Sequence, residues 1–310
     1  MNMKLINKLV LAAFPLLVAA ALTGCSEKDN ETPLNTIDTL ISSNPNLTIF
    51  KAALEKTGMN SFTKGGGPFT YFAPSDAAFK ASGINSAADL NAIDPNVLTQ
   101  VLSYHIMSGI RTFVEIPSGP NAPATMIGGY SIYASKQGST GFINGSKISE
   151  TDIKGSNGVL HVIDRVNPPP FTNMLATLAA NPDFKLLVQG INKAGLAATF
   201  TGTTIYTVFA PTNAAMTGGG YDSTTIANLT GAPLTTFTNQ LRYHLITGRM
   251  FSSEFKATNL KTVQGSNIAL TVSGGNKVKG IANATPANIT ATDWLTSNGV
   301  IHTIDGFLKY

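Results

Sequence analysis

The chain has 310 residues, with 21 Lys and Arg against 17 Asp and Glu, which gives a formal net charge of +4. Charged residues make up only 12% of the chain, about half the usual fraction. The basic residues form no cluster in the sequence, which argues against nucleic acid as a partner. Because 43% of the residues are apolar, the chain can bury a core and is not extensively disordered. Its length predicts about two domains.

The first 24 residues have the pattern of a secretory signal peptide. Lys4 and Lys8 precede an apolar run over residues 9–22, which is shorter than a comfortable membrane span. The run ends in the letters LTGC, whose last residue, Cys25, is the only cysteine of the chain. LTGC resembles the lipobox of bacterial lipoproteins, which implies that Cys25 becomes a lipidated N-terminus and anchors the protein in a membrane. The alternative is a free or buried cysteine after an ordinary signal peptide.

Residues 25–35 are predicted to form a lipidated flexible tether, because they are polar and acidic. Ser26 directly after the cysteine resembles outer-membrane sorting, so we expect an outer-membrane lipoprotein of the cell envelope. The sequence leaves open whether it faces the medium or the periplasm. Without a second cysteine the chain cannot form an intramolecular disulfide, so its fold depends on core packing.

The rest of the chain contains an internal repeat. FTYFAPSDAAF at 69–79 matches YTVFAPTNAAM at 206–216, and ISETDIKGSNGVLHVID at 148–164 matches ITATDWLTSNGVIHTID at 289–305. The order of the blocks is preserved, which predicts two homologous domains at 36–167 and 171–310. Between them lies Asn167-Pro168-Pro169-Pro170, whose prolines predict a short, stiff spacer between two independently folding halves.

The first elements of each repeat are a helix and a strand-to-helix corner. Apolar residues recur at steps of three and four after residues 47 and 184, which predicts amphipathic helices ending near Gly58 and Gly195. An aromatic and threonine-rich strand then meets Ala73-Pro74, after which Ser75 is positioned to cap a helix.

The later elements are a second helix and a closing hairpin. Asp94-Pro95 supplies a cap and a first-turn proline to a helix whose apolar face continues to His105. Asn157-Gly158 is expected to supply the positive φ angles of a hairpin turn before the last strand. Each repeat is therefore predicted to be α+β, with helices packed on an antiparallel sheet.

Three blocks, FAPSDAAF, the Tyr-His pair after a helix and SNGVLHVID, occur twice in this order. They resemble the first conserved block, the Tyr-His motif and the second conserved block of the fasciclin domain. The resemblance implies two tandem fasciclin-like domains, each a wedge of two small β-sheets with packed helices. It also implies a role in adhesion or extracellular interaction, and no enzymatic activity common to the family.

The histidines are the main candidates for chemistry, because all four occupy matching places in the two repeats: His105, His161, His244 and His302. A metal site or a Ser-His-Asp relay is disfavoured because Asn213 replaces Asp76 in the second repeat and cannot act as a base. His161 and Asp164 would also point to opposite faces of a strand. We therefore expect core histidines whose ring N–H reaches a backbone carbonyl. The sequence predicts no catalytic residue, no cofactor and no metal.

The candidate partner-binding residues are Tyr104, His105, Tyr243, His244 and Arg249. They follow from the resemblance, because the Tyr-His region of animal fasciclin proteins is implicated in receptor binding. From the residues alone, packing is the favoured role of the two tyrosines, whose rings can be buried while their hydroxyls stay hydrated.

Trp294, the only tryptophan, is either a core residue or a stacking platform for a sugar, and the core role is favoured. The resulting hypothesis is a lipid-anchored, non-catalytic adhesion or interaction protein of the cell envelope. Its partner would be an extracellular protein or glycan that the sequence does not identify. The alternatives are a glycan-capturing component of a polysaccharide-uptake system, or an enzyme that uses His105 or His244.

Overall fold

The structure, a computed structural model, describes residues 34–310. The predicted signal peptide, Cys25 and nearly all of the tether lie outside the described residues. Within residues 34–310, no helix is long and apolar enough to cross a membrane.

The first repeat begins with helices and ends with strands. Its elements are α1 (Ile37–Ser43), α2 (Thr48–Lys56), α3 (Asn60–Lys64), β1 (Phe69–Pro74), α4 (Asp76–Ala81), α5 (Pro95–Ser103), β2 (Ile106–Ser108), β3 (Ala122–Thr125), β4 (Ser131–Gln137), β5 (Thr140–Ile143), β6 (Ser146–Gly155) and β7 (Gly158–Ile163). Two 3-10 turns, Ala87–Ala92 and Phe113–Glu115, complete it.

The second repeat has the same plan. Its elements are α6 (Met174–Ala179), α7 (Lys185–Lys193), α8 (Ala197–Thr201), β8 (Tyr206–Pro211), α9 (Asn213–Gly218), α10 (Ser223–Asn228), α11 (Gly231–Tyr243), β9 (Leu245–Thr247), β10 (Thr258–Lys261), β11 (Asn267–Thr271), β12 (Lys277–Gly280), β13 (Ala287–Thr296) and β14 (Gly299–Ile304). Its 3-10 turns are Pro182–Phe184 and Ser252–Glu254.

Each repeat forms a seven-stranded sheet, in the order β2-β1-β7-β6-β5-β4-β3 and β10-β11-β12-β13-β14-β8-β9. The long strand β6 joins two parts of the sheet, because its first residues pair with β5 and the remainder with β7. Register shifts interrupt the β6–β7 and β13–β14 pairings. Asp152 and Asp293 lie at these irregularities with positive φ angles of 55° and 67°, a conformation that aspartate tolerates better than most residues. The α+β class is thus confirmed.

One strand pairing differs from the predicted antiparallel sheet. β1 pairs with β7 in parallel, with Phe72 opposite His161, and β8 pairs with β14 in the same way. The connection between the paired strands runs through nearly the whole repeat, and so long a crossover allows a parallel arrangement that a hairpin would not. The FAP block on β1 and the SNG block on β7 are therefore neighbours in the sheet, as are their counterparts on β8 and β14.

The predicted caps are confirmed. The Ser75 hydroxyl accepts a hydrogen bond from Ala78 N at 3.1 Å, Thr212 does the same for Ala215 N in the second repeat, and Asp94 caps α5 through Asn96 N at 2.7 Å. These short polar side chains satisfy backbone donors that have no partner inside the helix.

The predicted role of the Asn-Gly pairs is wrong, although the hairpins are present. Neither residue of the pair Asn157-Gly158 has a positive φ angle. The asparagine instead bridges the turn to the helices, since its amide donates to Thr63 O at 2.8 Å and its carbonyl accepts from Ile37 N at 2.9 Å. The glycine is required because a Cβ atom there would collide with the carbonyl oxygen of Phe69 on the adjacent strand.

Candidate functional site

The Tyr-His pairs lie at the C-terminal ends of helices α5 and α11, inside the two repeats. Tyr104 and His105 are 1% exposed, and Tyr243 and His244 are 0% and 1% exposed. The Tyr104 hydroxyl donates to Ser131 O at 2.7 Å and accepts from Asn144 at 3.0 Å. Tyr243 makes the matching bonds, to Asn267 O at 2.5 Å and from Ile281 N at 3.1 Å. Burial raises the pKa of both phenols, which therefore stay protonated as hydrogen-bond donors.

The histidine of each pair connects its helix to the segment that closes the repeat. His105 Nδ1 lies 2.7 Å from Val101 O, and its Nε2 accepts from Asn167 N at 3.1 Å. His244 repeats this arrangement with Gln240 O at 2.7 Å and Leu308 N at 3.0 Å. The partners fix the proton on Nδ1, because a carbonyl oxygen only accepts and an amide nitrogen only donates. Burial lowers the pKa of both imidazoles to about 4.

The second pair of histidines, on β7 and β14, uses the opposite tautomer. His161 Nε2 lies 2.8 Å from Arg111 O, and its Nδ1 accepts from Asp152 N at 3.3 Å. His302 bonds Met250 O at 2.9 Å and accepts from Asp293 N at 3.3 Å. Burial also lowers the pKa of these two rings.

The prediction of core histidines that bond to backbone carbonyls is therefore confirmed. Every ring nitrogen of the four histidines has a backbone partner, so none has a lone pair free for a metal ion or for proton transfer. Within residues 34–310 no group of three or more His, Cys, Asp or Glu side chains is arranged to hold a metal.

The exchange of Asp76 for Asn213 also has a structural explanation. Asp76 accepts hydrogen bonds from Ile49 N at 2.8 Å and from the Thr48 hydroxyl at 2.6 Å at the start of α2. Asn213 Oδ1 accepts from Leu186 N at 2.9 Å at the start of α7. Both places need an acceptor oxygen, which an amide supplies as well as a carboxylate does.

The five candidate partner-binding residues do not form one exposed surface. The two tyrosines and two histidines are enclosed, so a partner that docks on the folded protein does not reach them. Arg249 is only half-buried, but its guanidinium lies 4.0 Å from the centre of the Tyr133 ring in the first repeat. Burial lowers the pKa of Arg249, while the neighbouring phenols of Tyr133 and Tyr104 oppose this shift.

Arg249 marks a contact between the repeats that the sequence analysis missed. Residues 34–310 form one compact unit. Asn121 donates to Arg249 O at 2.6 Å and to Glu254 at 2.9 Å, Gln137 donates to Ser253 O, and Leu295 packs against the core of the first repeat. Pro168–Pro170 therefore connects two repeats that are in contact with each other, and the independent folding of each half stays a prediction. We call this contact the seam.

An ion pair closes another part of the seam. Arg165 Nη1 lies 2.9 Å from Asp293 Oδ2, and the Asp293 side chain is fully buried while that of Arg165 is 38% exposed. Asp293 also accepts from Ser252 N at 2.6 Å and from the Ser252 hydroxyl. The second repeat has Gly306 at the place that matches Arg165. It therefore supplies no arginine that could form the reciprocal pair with Asp152, the counterpart of Asp293. This difference between the repeats is a signal in the sequence that could have indicated the seam.

Trp294 lies at the edge of the core of the second repeat, and its role as a sugar platform stays a prediction. It is half-buried and meets Phe184 edge to face, with 5.9 Å between ring centres. It also borders a cleft of about 520 Å³ between the repeats, together with Arg165 and Pro168.

Comparisons with known proteins agree with this architecture. The family model described as "Fasciclin domain" matches residues 45–168 and 182–310. The chain is 30% identical over 196 residues to transforming growth factor-beta-induced protein ig-h3 of Sus scrofa, which covers 62% of this chain and 28% of that protein. It is 26% identical over 264 residues to periostin of Homo sapiens, covering 84% of this chain and 30% of periostin.

A shorter relative is Protein sll1483 of Synechocystis, 30% identical over 136 residues, which covers 44% of this chain and 74% of that protein. The chain spans 28% of the length of the pig ig-h3 protein and 34% of the length of the rabbit protein. A solved FAS1 domain pair from the insect cell adhesion molecule Fasciclin I is 20% identical, with a TM-score of 0.41, and the match covers 84% of this chain and 96% of that one.

Proposed function

Because the chain belongs to the fasciclin domain family, we propose that it is a non-catalytic adhesion protein held at the cell envelope by a lipid on Cys25. A pair of fasciclin domains is typical of adhesion or interaction proteins. The observation that carries the proposal is the match of the family to both halves of the chain. The whole-protein roles of the longer relatives do not transfer directly, since the chain covers only part of their length.

The bonding of the histidines supports interaction rather than catalysis. General acid–base chemistry needs a group that can exchange a proton near the working pH and reach the substrate. The four imidazoles are buried, have lowered pKa values and use both ring nitrogens for backbone bonds. The third alternative from the sequence, an enzyme based on His105 or His244, therefore lacks an available group at these positions.

The proposed anchor rests on the LTGC letters before Cys25. Acyl chains on this cysteine would hold the protein at a membrane without an electrostatic attraction. The outer membrane is the proposed location because Ser26 follows the cysteine.

The experiment compares cells that carry the wild-type chain, the Cys25→Ser variant or no copy of the gene. We expect wild-type cells to aggregate and to attach to surfaces more than cells without the gene. The Cys25→Ser chain should leave the membrane fraction and fail to restore attachment. Equal attachment of wild-type and gene-deleted cells would contradict the adhesive role, and continued membrane partition of Cys25→Ser would contradict the lipid anchor.

A second candidate function, glycan capture, is favoured by the place of Trp294 at the cleft with Arg165. It predicts saturable binding on a glycan array that Trp294→Ala abolishes. Phe171→Ala is the matched control, because Phe171 is also an aromatic residue near the linker and is 46% exposed. Loss of binding in both variants, or in neither, would contradict a specific role of Trp294.

A further inference from the structure

The seam joins two different surfaces of two homologous domains. The second repeat contributes the segment 249–254 and the irregular part of β13 at Asp293, which we call the docking face. The first repeat contributes β4, at Tyr133 and Gln137, and the segment that begins at Arg165, which we call the receiving face. Because each repeat has a copy of both faces, the same contact can in principle recur between molecules and join them head to tail.

The docking face of the first repeat is present and open. Asp152 corresponds in the sequence to Asp293 and has the same left-handed backbone conformation, with a φ of 55° against 67°. Within residues 34–310 Asp152 forms no ion pair. Ile110 and Val114 lie in the segment that corresponds to 249–254, and they are 51% and 78% exposed. A second molecule can therefore reach this face.

The receiving faces of the two repeats differ at one connection. In the first repeat, only Asn144 and Gly145 separate the paired ends of β5 and β6. This tight turn belongs to the seam, because a Cβ atom on Gly145 would lie 2.6 Å from the carboxyl carbon of Asp293. In the second repeat, the register of β12 and β13 leaves residues 279–286 as the connection. A long loop therefore replaces the turn that admits the neighbouring domain.

The loop 279–286 is bonded to the segment that follows β14. The Asn283 side chain donates to Phe307 O at 2.9 Å and accepts from Lys309 N at 2.7 Å. Phe307 and Lys309 belong to the segment that corresponds to 165–168 of the first repeat. The loop is therefore held against the same segment that, in the first repeat, pairs with the docking face.

Two clefts show that the loop takes the place of the neighbouring domain. One cleft, of about 520 Å³, has a wall formed by 81–82 and 165–168 of the first repeat, and the facing wall is 292–295 of the second repeat. The other cleft, of about 610 Å³, has the matching wall at 218–219 and after β14, but its facing wall is 282–288 of the same repeat. The loop thus stands where β13 of a neighbour stands at the seam.

We propose that the loop 279–286 is a plug, which closes the receiving face of the second repeat and prevents head-to-tail joining to the docking face of a second copy. The second repeat also has Gly306 where the first has Arg165, so it lacks the ion-pair partner for Asp152. Both differences keep a contact that stabilises one chain from propagating between chains, as natural proteins do when they block unwanted association. The plug operates independently of the proposed adhesive role.

The test removes the plug and restores the arginine. In the opened variant, residues 279–286 are replaced by the Asn-Gly turn of the first repeat, and Gly306→Arg is added. The assay is sedimentation equilibrium of the full chain in density-matched detergent. We expect wild type to keep the mass of a single chain at every protein concentration, whereas the mean mass of the opened variant should at least double as the concentration rises. Thermal melting checks that the variants are folded.

A second substitution tests whether the opened variant associates through the docking face. Val114→Asp should return it to single chains, because the substitution places a charge on this face. Val97→Asp is the matched control, since Val97 is also an exposed valine of the first repeat, at 47%, but lies on α5 outside the docking face. Association that survives Val114→Asp would overturn the proposal. So would a folded opened variant that stays a single chain, or a wild-type chain that associates as strongly.

If the opened variant does not fold, the milder variant Asn283→Ala/Gly306→Arg decides the question. It keeps the length of the loop and removes the two side-chain bonds that hold the loop against Phe307 and Lys309. Its mean mass should also rise with concentration, to a smaller extent than with the loop removed, and Val114→Asp should reverse the rise. A mass that stays that of a single chain would overturn the proposal.

Discussion

Acidification should destabilise the protein well above the pH range in which carboxylates titrate. His105 and His244 have pKa values of about 4 in the folded chain, whereas an unfolded chain holds histidine near its ordinary value of about 6.5. Between these values the unfolded chain binds one more proton per histidine than the folded chain does. Stability from these groups is therefore fully present above about pH 6.5 and is lost as the pH falls towards 4.

The expected magnitude follows from the width of this window. One pH unit corresponds to about 1.4 kcal/mol for each group, so lowering the pH from 7 to 5 should cost about 2 kcal/mol for each of His105 and His244. The lowered pKa values of His161 and His302 act in the same direction. Against a typical total of about 5–15 kcal/mol, this loss is readily measurable.

The assay is urea denaturation of the full chain at pH 7, 6 and 5. The variant His105→Gln/His244→Gln should be less stable at pH 7 and should lose less stability on acidification than wild type does. Proton NMR titration of the folded wild type is the second measurement, and the two rings should remain neutral down to about pH 5. A free energy of unfolding that is constant from pH 7 to 5, or histidine signals that titrate near pH 6.5, would show that the folded chain does not hold these rings neutral.

Three further predictions concern stability, measured by denaturant titration. Arg165→Gln should lower the free energy of unfolding by about 1–3 kcal/mol, which is less than the loss expected on breaking a fully buried ion pair, because the guanidinium is partly exposed. An unchanged free energy of unfolding would contradict a structural role for the ion pair of Arg165 with Asp293. Gly158→Ala should lower the free energy of unfolding by about 1–3 kcal/mol or more, because the added Cβ atom collides with the backbone of Phe69. Gly65→Ala should be nearly neutral, because the space around Gly65 is open. Equal effects of the two substitutions would contradict the collision. Asp76→Asn should be tolerated, while Asp76→Ala should cost about 1–3 kcal/mol by stranding backbone and hydroxyl donors; equal losses would show that the negative charge itself matters.

The features that the sequence predicts well are local or periodic. The repeat, the caps Ser75 and Asp94 and the amphipathic helices α2 and α7 each follow from neighbouring residues whose spacing determines their environment. The core position of His105 could be predicted because it continues an apolar helix face. Its second partner, Asn167 N, is 62 residues away in the chain and has no local signal.

The features that the sequence analysis missed depend on contacts between distant segments. Asn157-Gly158 has the pattern of a positive-φ turn. In the fold, however, the Asn157 side-chain amide bonds to α1 and α3. Gly158 has no Cβ atom, which allows β1 to lie close beside it. The seam was missed for the same reason. The three consecutive prolines indicate that the linker is stiff. They do not indicate whether Arg165 and Asp293, on either side of the linker, form an ion pair.

The central claim, that this chain is an envelope-anchored adhesion module, is tested most directly by single-cell force measurements. A cell that carries the wild-type chain is brought against a second cell of the same strain, and the frequency of rupture events is recorded. We expect frequent ruptures that fall severalfold in cells with Cys25→Ser and when purified full chain is added as a competitor. An unchanged rupture frequency in both conditions would contradict it.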